Sequence, residues 1–106
     1  MFIQVDGMMA ARNMGNKGQL GVKMLEEKHM ISILVYLQMH GPSRKIDIYE
    51  GVSSNPRMPD KLNALETSGL IIQQMDMITR STIVTLTERG SQVANMLISI
   101  DGCIKS

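Results

Sequence analysis

The 106-residue chain predicts a mainly α domain with a small β-hairpin (α+β), in the order helix-helix-helix-strand-strand-helix, behind an extended N-terminal arm. Three observations predict it. The stretch Leu65-Glu66-Thr67-Ser68-Gly69-Leu70-Ile71-Ile72 reads as a helix end, a glycine stop and a strand. Past a short polar stretch, Ile83-Val84-Thr85-Leu86-Thr87-Glu88-Arg89-Gly90 reads as a returning strand and a capped helix start. Upstream, two helical patterns are separated by the turn Gly51-Val52-Ser53-Ser54. A chain of this length buries one modest core and makes one domain.

Taken in order, residues 1–23 have no consistent period and carry four of the nine glycines, Gly7, Gly15, Gly18 and Gly21, so a flexible arm is expected. A helix follows over residues 24–40, with Met30, Ile33, Leu34 and Leu37 on its core face. His40 suits its C-terminal end, where the dipole favours it, and Gly41-Pro42 stop it. Ser43 is placed to cap a short helix over residues 44–50 that puts Ile46 and Tyr49 on one face. The next helix directs Met58, Leu62 and Leu65 to the core, and Ser53 and Ser54 are able to cap it. Pro56 suits a first helical position after Asn55. Pro59 would then lack the N–H for the bond to the Asn55 carbonyl, so the helix either starts late, near Pro59, or has a distorted first turn. Gly69 ends that helix, and residues 70–74 and 82–86 alternate as strands of a hairpin. Thr87 caps a last helix over residues 88–101 whose core face is Val93, Met96, Leu97 and Ile100, and residues 103–106 form a tail.

Helix, glycine turn, helix is the helix-turn-helix signature, and a hairpin leading into another helix makes its wing. The chain resembles the winged helix-turn-helix transcriptional regulators of the small prokaryotic MarR-like type. The residues that carry the resemblance are Ile33-Leu34 with Leu37, Gly41-Pro42-Ser43, Gly51-Val52-Ser53, Leu62 with Leu65-Glu66, Gly69-Leu70-Ile71, and Leu86-Thr87 with Gly90. It is their order and spacing that are specific. Between Gly51 and Leu62 the chain is one residue longer than the resemblance implies, and two prolines interrupt that segment.

The resemblance implies a DNA-binding domain over residues 24–102, with its second helix in the major groove. On that reading Asn63 and Thr67 suit base edges, and Arg57 and Lys61 suit guanine or phosphate. Ser54 and Asn55 stand at the start of the same segment. Arg44 and Lys45 would meet the DNA backbone from the preceding helix, and Arg80 lies near the hairpin tip, where a wing reaches the minor groove. Asp60 is unsuited to phosphate but can accept from cytosine N4. In the arm, Arg12, Lys17 and Lys23 face only Asp6, which also suits an arm touching DNA or a partner. Between Pro42 and Gly90, six basic residues (Arg44, Lys45, Arg57, Lys61, Arg80, Arg89) meet six acidic ones (Asp47, Glu50, Asp60, Glu66, Asp76, Glu88). Non-specific affinity for DNA is therefore expected to be weak.

Two helices carry more apolar surface than one core needs. Ile31, Val35 and Met39 run opposite the first helix's core face, and Ala94 and Ile98 form a second stripe on the last helix. Either these stripes pack on each other or on the arm, or they pair two protomers in a two-fold dimer; the dimer is the expectation, because a lone domain has too few elements to wrap both helices.

Other chemistries find little support. His29, His40 and the single Cys103 have no metal-ligand spacing, no phosphate loop or nucleophile set is visible, and no cofactor or enzymatic activity is expected. No apolar run is long enough to span a membrane, and one unpaired cysteine fits a reducing cytoplasm, so a cytoplasmic, nucleoid-associated protein is expected. Two function classes stand: a dimeric sequence-specific DNA-binding regulator, acting as a repressor, and a winged helix used for protein-protein interaction in a larger assembly. The neutral motif and Asp60 favour the second; the stand-alone size and the extra helix stripes favour the first.

Overall fold

In the computed structural model, residues 21–106 are described; the expected arm falls largely outside them. A 3-10 helix, Gly21–Glu26, leads into α1 (Met30–His40), β1 (Ser43–Arg44), α2 (Lys45–Gly51), α3 (Met58–Thr67), β2 (Ile71–Met75), β3 (Thr82–Leu86) and α4 (Glu88–Lys105). The strands form an antiparallel sheet in the order β1-β3-β2, with Ile71 opposite Leu86 and Met75 opposite Thr82. This is the winged helix-turn-helix architecture, with α2 and α3 as the helix pair and β2-β3 as the wing.

The core is assembled from the expected helix faces. Met30, Ile33, Leu34 and Leu37 of α1 and Met58, Leu62 and Leu65 of α3 are all buried, together with Ile48, Leu70, Ile71, Val84 and Ala94. Gly69 takes φ +82, and the Leu70 N–H returns to the Leu65 carbonyl at 3.0 Å, closing α3 in the way a left-handed glycine permits. Thr87 then ties the two ends together. Its Oγ1 accepts from the Gly90 N–H at 3.0 Å, capping α4, and donates to the Gly69 carbonyl at 2.6 Å.

Three expectations need correction, and one open alternative is decided. α1 begins at Met30, because His29 sits at φ +73 and breaks the helical path; Met24 and Leu25 reach the core from the 3-10 helix instead. Ser43 caps nothing. It is buried in a short third strand paired with Val84, and its Oγ donates to the Gly41 carbonyl, so α2 starts at Lys45 and buries Ile48 while Ile46 stays exposed. The two prolines resolve to a late start. Pro56 and Arg57 form a turn in which the Asn55 carbonyl accepts from the Met58 N–H at 2.9 Å, and Pro59 falls in the first turn of α3, where its missing N–H has no helical partner to lose.

The third correction concerns α4, which runs to Lys105 and is rotated from the expected orientation. Its buried residues are Gly90 and Ala94, while Val93 and Leu97 are half-buried and Met96 and Ile100 exposed. Small residues decide this: a helix approaches its neighbours most closely along the face with the shortest side chains. Polar contacts lock the same side, with Gln38 Nε2 donating to Asn95 Oδ1 at 2.9 Å and Ser91 Oγ to Gln38 Oε1 at 3.0 Å.

Candidate nucleic-acid interface

With Met58, Leu62 and Leu65 fixed inward, helical geometry turns Arg57, Asp60, Asn63, Ala64 and Thr67 outward, and all five are exposed. Ser54 and Asn55 are exposed in the loop just before them. Asn55 already has a structural task, since its Oδ1 accepts from the Arg57 N–H at 2.8 Å and its own N–H donates to Ser53 Oγ at 3.1 Å. On the far side of α3 lies the wing. Its tip is closed by the Arg80 N–H donating to the Asp76 carbonyl at 2.7 Å and the Asp76 N–H to the Ser81 carbonyl at 2.8 Å, with Arg80 at φ +64. Arg57 and Arg80 are exposed and make no ion pair among the described residues.

Two of the sequence-derived cations are diverted. Lys61 reaches back over the 3-10 helix to Glu27, with Nζ 3.5 Å from Oε1 and only 11% of its side chain exposed. Arg44 grips Asp47 two-fold, through Nε to Oδ2 at 3.0 Å and Nη2 to Oδ1 at 2.9 Å. The carboxylate also accepts from the Arg44 backbone N–H at 3.3 Å, at the start of α2. The hydrogen bond from Arg44 holds the Asp47 carboxyl below its usual pKa, and the same bond raises that of Arg44. Lys45 is half-buried beside this pair.

A consequence can be measured. A carboxyl with a lowered folded-state pKa favours the paired form above its unfolded pKa, and that contribution is lost only as pH falls through the lower folded value. On the expectation that the start of α2 meets DNA, the Arg44–Asp47 pair should therefore impose no step on affinity between about pH 5 and 8. Asp47→Asn removes the charge and releases Arg44, and should tighten binding to every duplex alike while steepening the salt slope by roughly one. Fluorescence anisotropy across a salt series checks this; an unchanged slope would place Arg44 away from phosphate.

One residue that sequence patterning missed joins the wing to α3. Gln73 of β2 donates through Nε2 to Asn63 Oδ1 at 3.0 Å and to Glu66 Oε1 at 2.8 Å, and its backbone N–H points to Glu66 Oε2 at 3.3 Å. A usable signal was the glycine reversal at Gly69, which folds the first residues of the strand back along the last turns of the helix.

The residues expected at a dimer interface separate into two groups. Ala94 is 0% exposed inside the chain's own core, so it cannot belong to a free stripe; its lack of a long side chain is what lets α4 approach the core there. Ile31, Val35, Met39 and Ile98 instead line one open groove between α1 and α4, about 720 Å³ in volume. Met39 is 71% and Ile98 38% exposed. Among the described residues no group of His, Cys, Asp or Glu could hold a metal, and no helix is long and apolar enough to cross a membrane.

The fold and this polar helix face define a winged helix-turn-helix protein of the kind found among transcriptional regulators. No protein-family model matches the sequence, and no curated protein matches it either. Among solved structures the chain is similar to a transcriptional regulator homologue from Pyrococcus horikoshii OT3, at 18% identity and TM-score 0.67, over 80% of this chain and 88% of that one. It is also similar to MepR, a transcription regulator of the Staphylococcus aureus multidrug efflux pump MepA, at 22% identity and TM-score 0.68, over 79% of this chain and 64% of that one. A third likeness is to reduced AbfR bound to DNA, at 24% identity and TM-score 0.59, over 77% of this chain and 63% of that one. The chain thus spans a little under two thirds of MepR and of AbfR.

Proposed function

We propose that this chain is a dimeric, sequence-specific DNA-binding regulator that represses transcription by occupying its operator on the nucleoid. The observation that carries the reading is the exposed polar face of α3, Arg57, Asp60, Asn63 and Thr67, set beside a wing whose tip bears Arg80. The reading also draws on likeness of fold to regulators, one of them solved on DNA. In mechanism, α3 enters the major groove, the N-terminal end of α2 lies on the phosphates, and Arg80 reaches the flanking minor groove. A two-fold dimer joined through α1 and α4 then requires inverted half-sites about 34–36 Å apart.

Each role has its own signature. Asn63→Ala should relax preference at one base pair per half-site, at a cost on the order of 1–3 kcal/mol there. Arg80→Ala should mainly reduce preference for narrow, A·T-rich flanks. Both are checked by titrating one operator and a scrambled duplex of equal length; if neither variant changes either affinity, the groove assignment is wrong.

A second reading, a winged helix serving protein assembly, is favoured by one observation. Met77 and Ile78 at the wing tip are exposed, Ile78 at 92%, and an apolar tip suits a protein partner as well as it suits a groove.

A further inference from the structure

We propose that Gln73 is a positioning residue that fixes which end of the Asn63 amide faces DNA, and so sets the base chosen at that position. The inference rests on the DNA-binding reading above. It starts from Glu66, whose carboxylate at neutral pH can only accept hydrogen bonds. The Gln73 group lying 2.8 Å from Glu66 Oε1 must therefore be the amide nitrogen, since the reverse orientation would set two oxygens against each other. That same nitrogen has a second hydrogen, and it points at Asn63, 3.0 Å away. The Asn63 atom that receives it must be the oxygen. Polarity is thus passed from Glu66 to Gln73 to Asn63, three residues on two different elements.

The arrangement is held at a cost. Gln73 Oε1 is buried without a hydrogen-bond partner, and an orphaned acceptor of this kind is tolerated only where the opposite end of the amide is strongly required. The result is an Asn63 whose oxygen is engaged toward the wing and whose Nδ2 hydrogens are free at the exposed face of α3. An asparagine free to turn can pair with adenine through both ends of its amide. An asparagine fixed as a donor is matched best by the keto oxygens, guanine O6 or thymine O4; adenine offers it only N7 beside a clashing N6 amino group, and cytosine N4 meets it donor against donor.

The test is selection from a randomised duplex pool by the full chain, followed by sequencing. Asn63→Ala first identifies the base position that depends on this side chain. Wild type should prefer guanine or thymine there by about tenfold. Glu66→Gln keeps the shape but removes the group that only accepts, and Gln73→Met keeps the volume but removes the amide. Each should admit adenine at that one position, erasing the preference for guanine or thymine, and leave the other positions unchanged. Adenine or cytosine preferred by the wild type would overturn the proposal, as would a Glu66→Gln profile identical to wild type or one weakened equally at every position; all three leave the DNA-binding reading standing. A wild-type chain that enriches no sequence overturns both.

Discussion

Replacing Gly90 with alanine is expected to cost about 3 kcal/mol or more, lowering the thermal midpoint by roughly 12 °C or beyond. A Cβ on Gly90 would run into the Leu70 carbonyl oxygen and lie 2.9 Å from its carbon, both backbone atoms that no rotamer change can move. That oxygen also accepts from the Thr87 N–H at 3.0 Å, so shifting it strains the junction joining the α3 stop, the first wing strand and the α4 cap. Because Ala94 lies one turn further along the same buried face, any displacement of α4 opens the core there as well. Gly102 is the matched control. It lies in the same helix, and a Cβ there meets nothing within 4 Å, so Gly102→Ala should be neutral or stabilising by up to about 1 kcal/mol. Urea denaturation of the two variants beside wild type gives the comparison, and equal stability for Gly90→Ala would contradict the close approach of α4 to the Leu70 carbonyl.

The second large effect is on association. In the proposed dimer the groove bearing Ile31, Val35, Met39 and Ile98 is covered by the same surface of a second copy. Burying apolar surface contributes about 25 cal/mol per Å² before the costs of association, and a stable interface needs on the order of 1,200 Å² in total. A carboxylate placed in the middle of such a surface would be desolvated without a partner. Ile98→Asp should therefore convert the dimer to a folded monomer, and Met39→Asp, at a more exposed position, should do the same with less risk to the protomer's own core. Light scattering after size-exclusion chromatography reads both. Wild type running as a monomer at micromolar concentration contradicts the dimer.

Local patterning and local chemistry were legible in the sequence. The i, i+3, i+4, i+7 face of α1, the left-handed Gly69 and the Thr87 cap each depend on a few neighbouring residues, and each stands where those residues place it. What depended on distant partners was not legible. The rotation of α4 is decided by small residues at positions 90 and 94 meeting other elements, and a hydropathy pattern gives a short side chain little weight. The strand Ser43–Arg44 exists because β3 supplies an edge for it, and two residues carry no period of their own.

The site divides in the same way. The outward set on α3 followed from the buried set by helical geometry alone. The fates of Lys61, turned to Glu27, and Arg44, clamped to Asp47, were settled by charge partners: one lies 34 residues away and the other one turn along the same segment. A charge count could register neutrality but not which cations were already engaged. Gln73 escaped notice because an amide in a strand has no signature until its neighbours on α3 are known.

In the proposed function this chain binds DNA at a specific inverted repeat. Genomic fragments should be incubated with the full chain, captured and sequenced, once at low and once at moderate salt. Enrichment of one palindromic site is expected, with half-sites about one helical turn apart, surviving the higher salt because few phosphate contacts contribute. Uniform recovery of all fragments at low salt, vanishing together at moderate salt with no shared sequence, would contradict it.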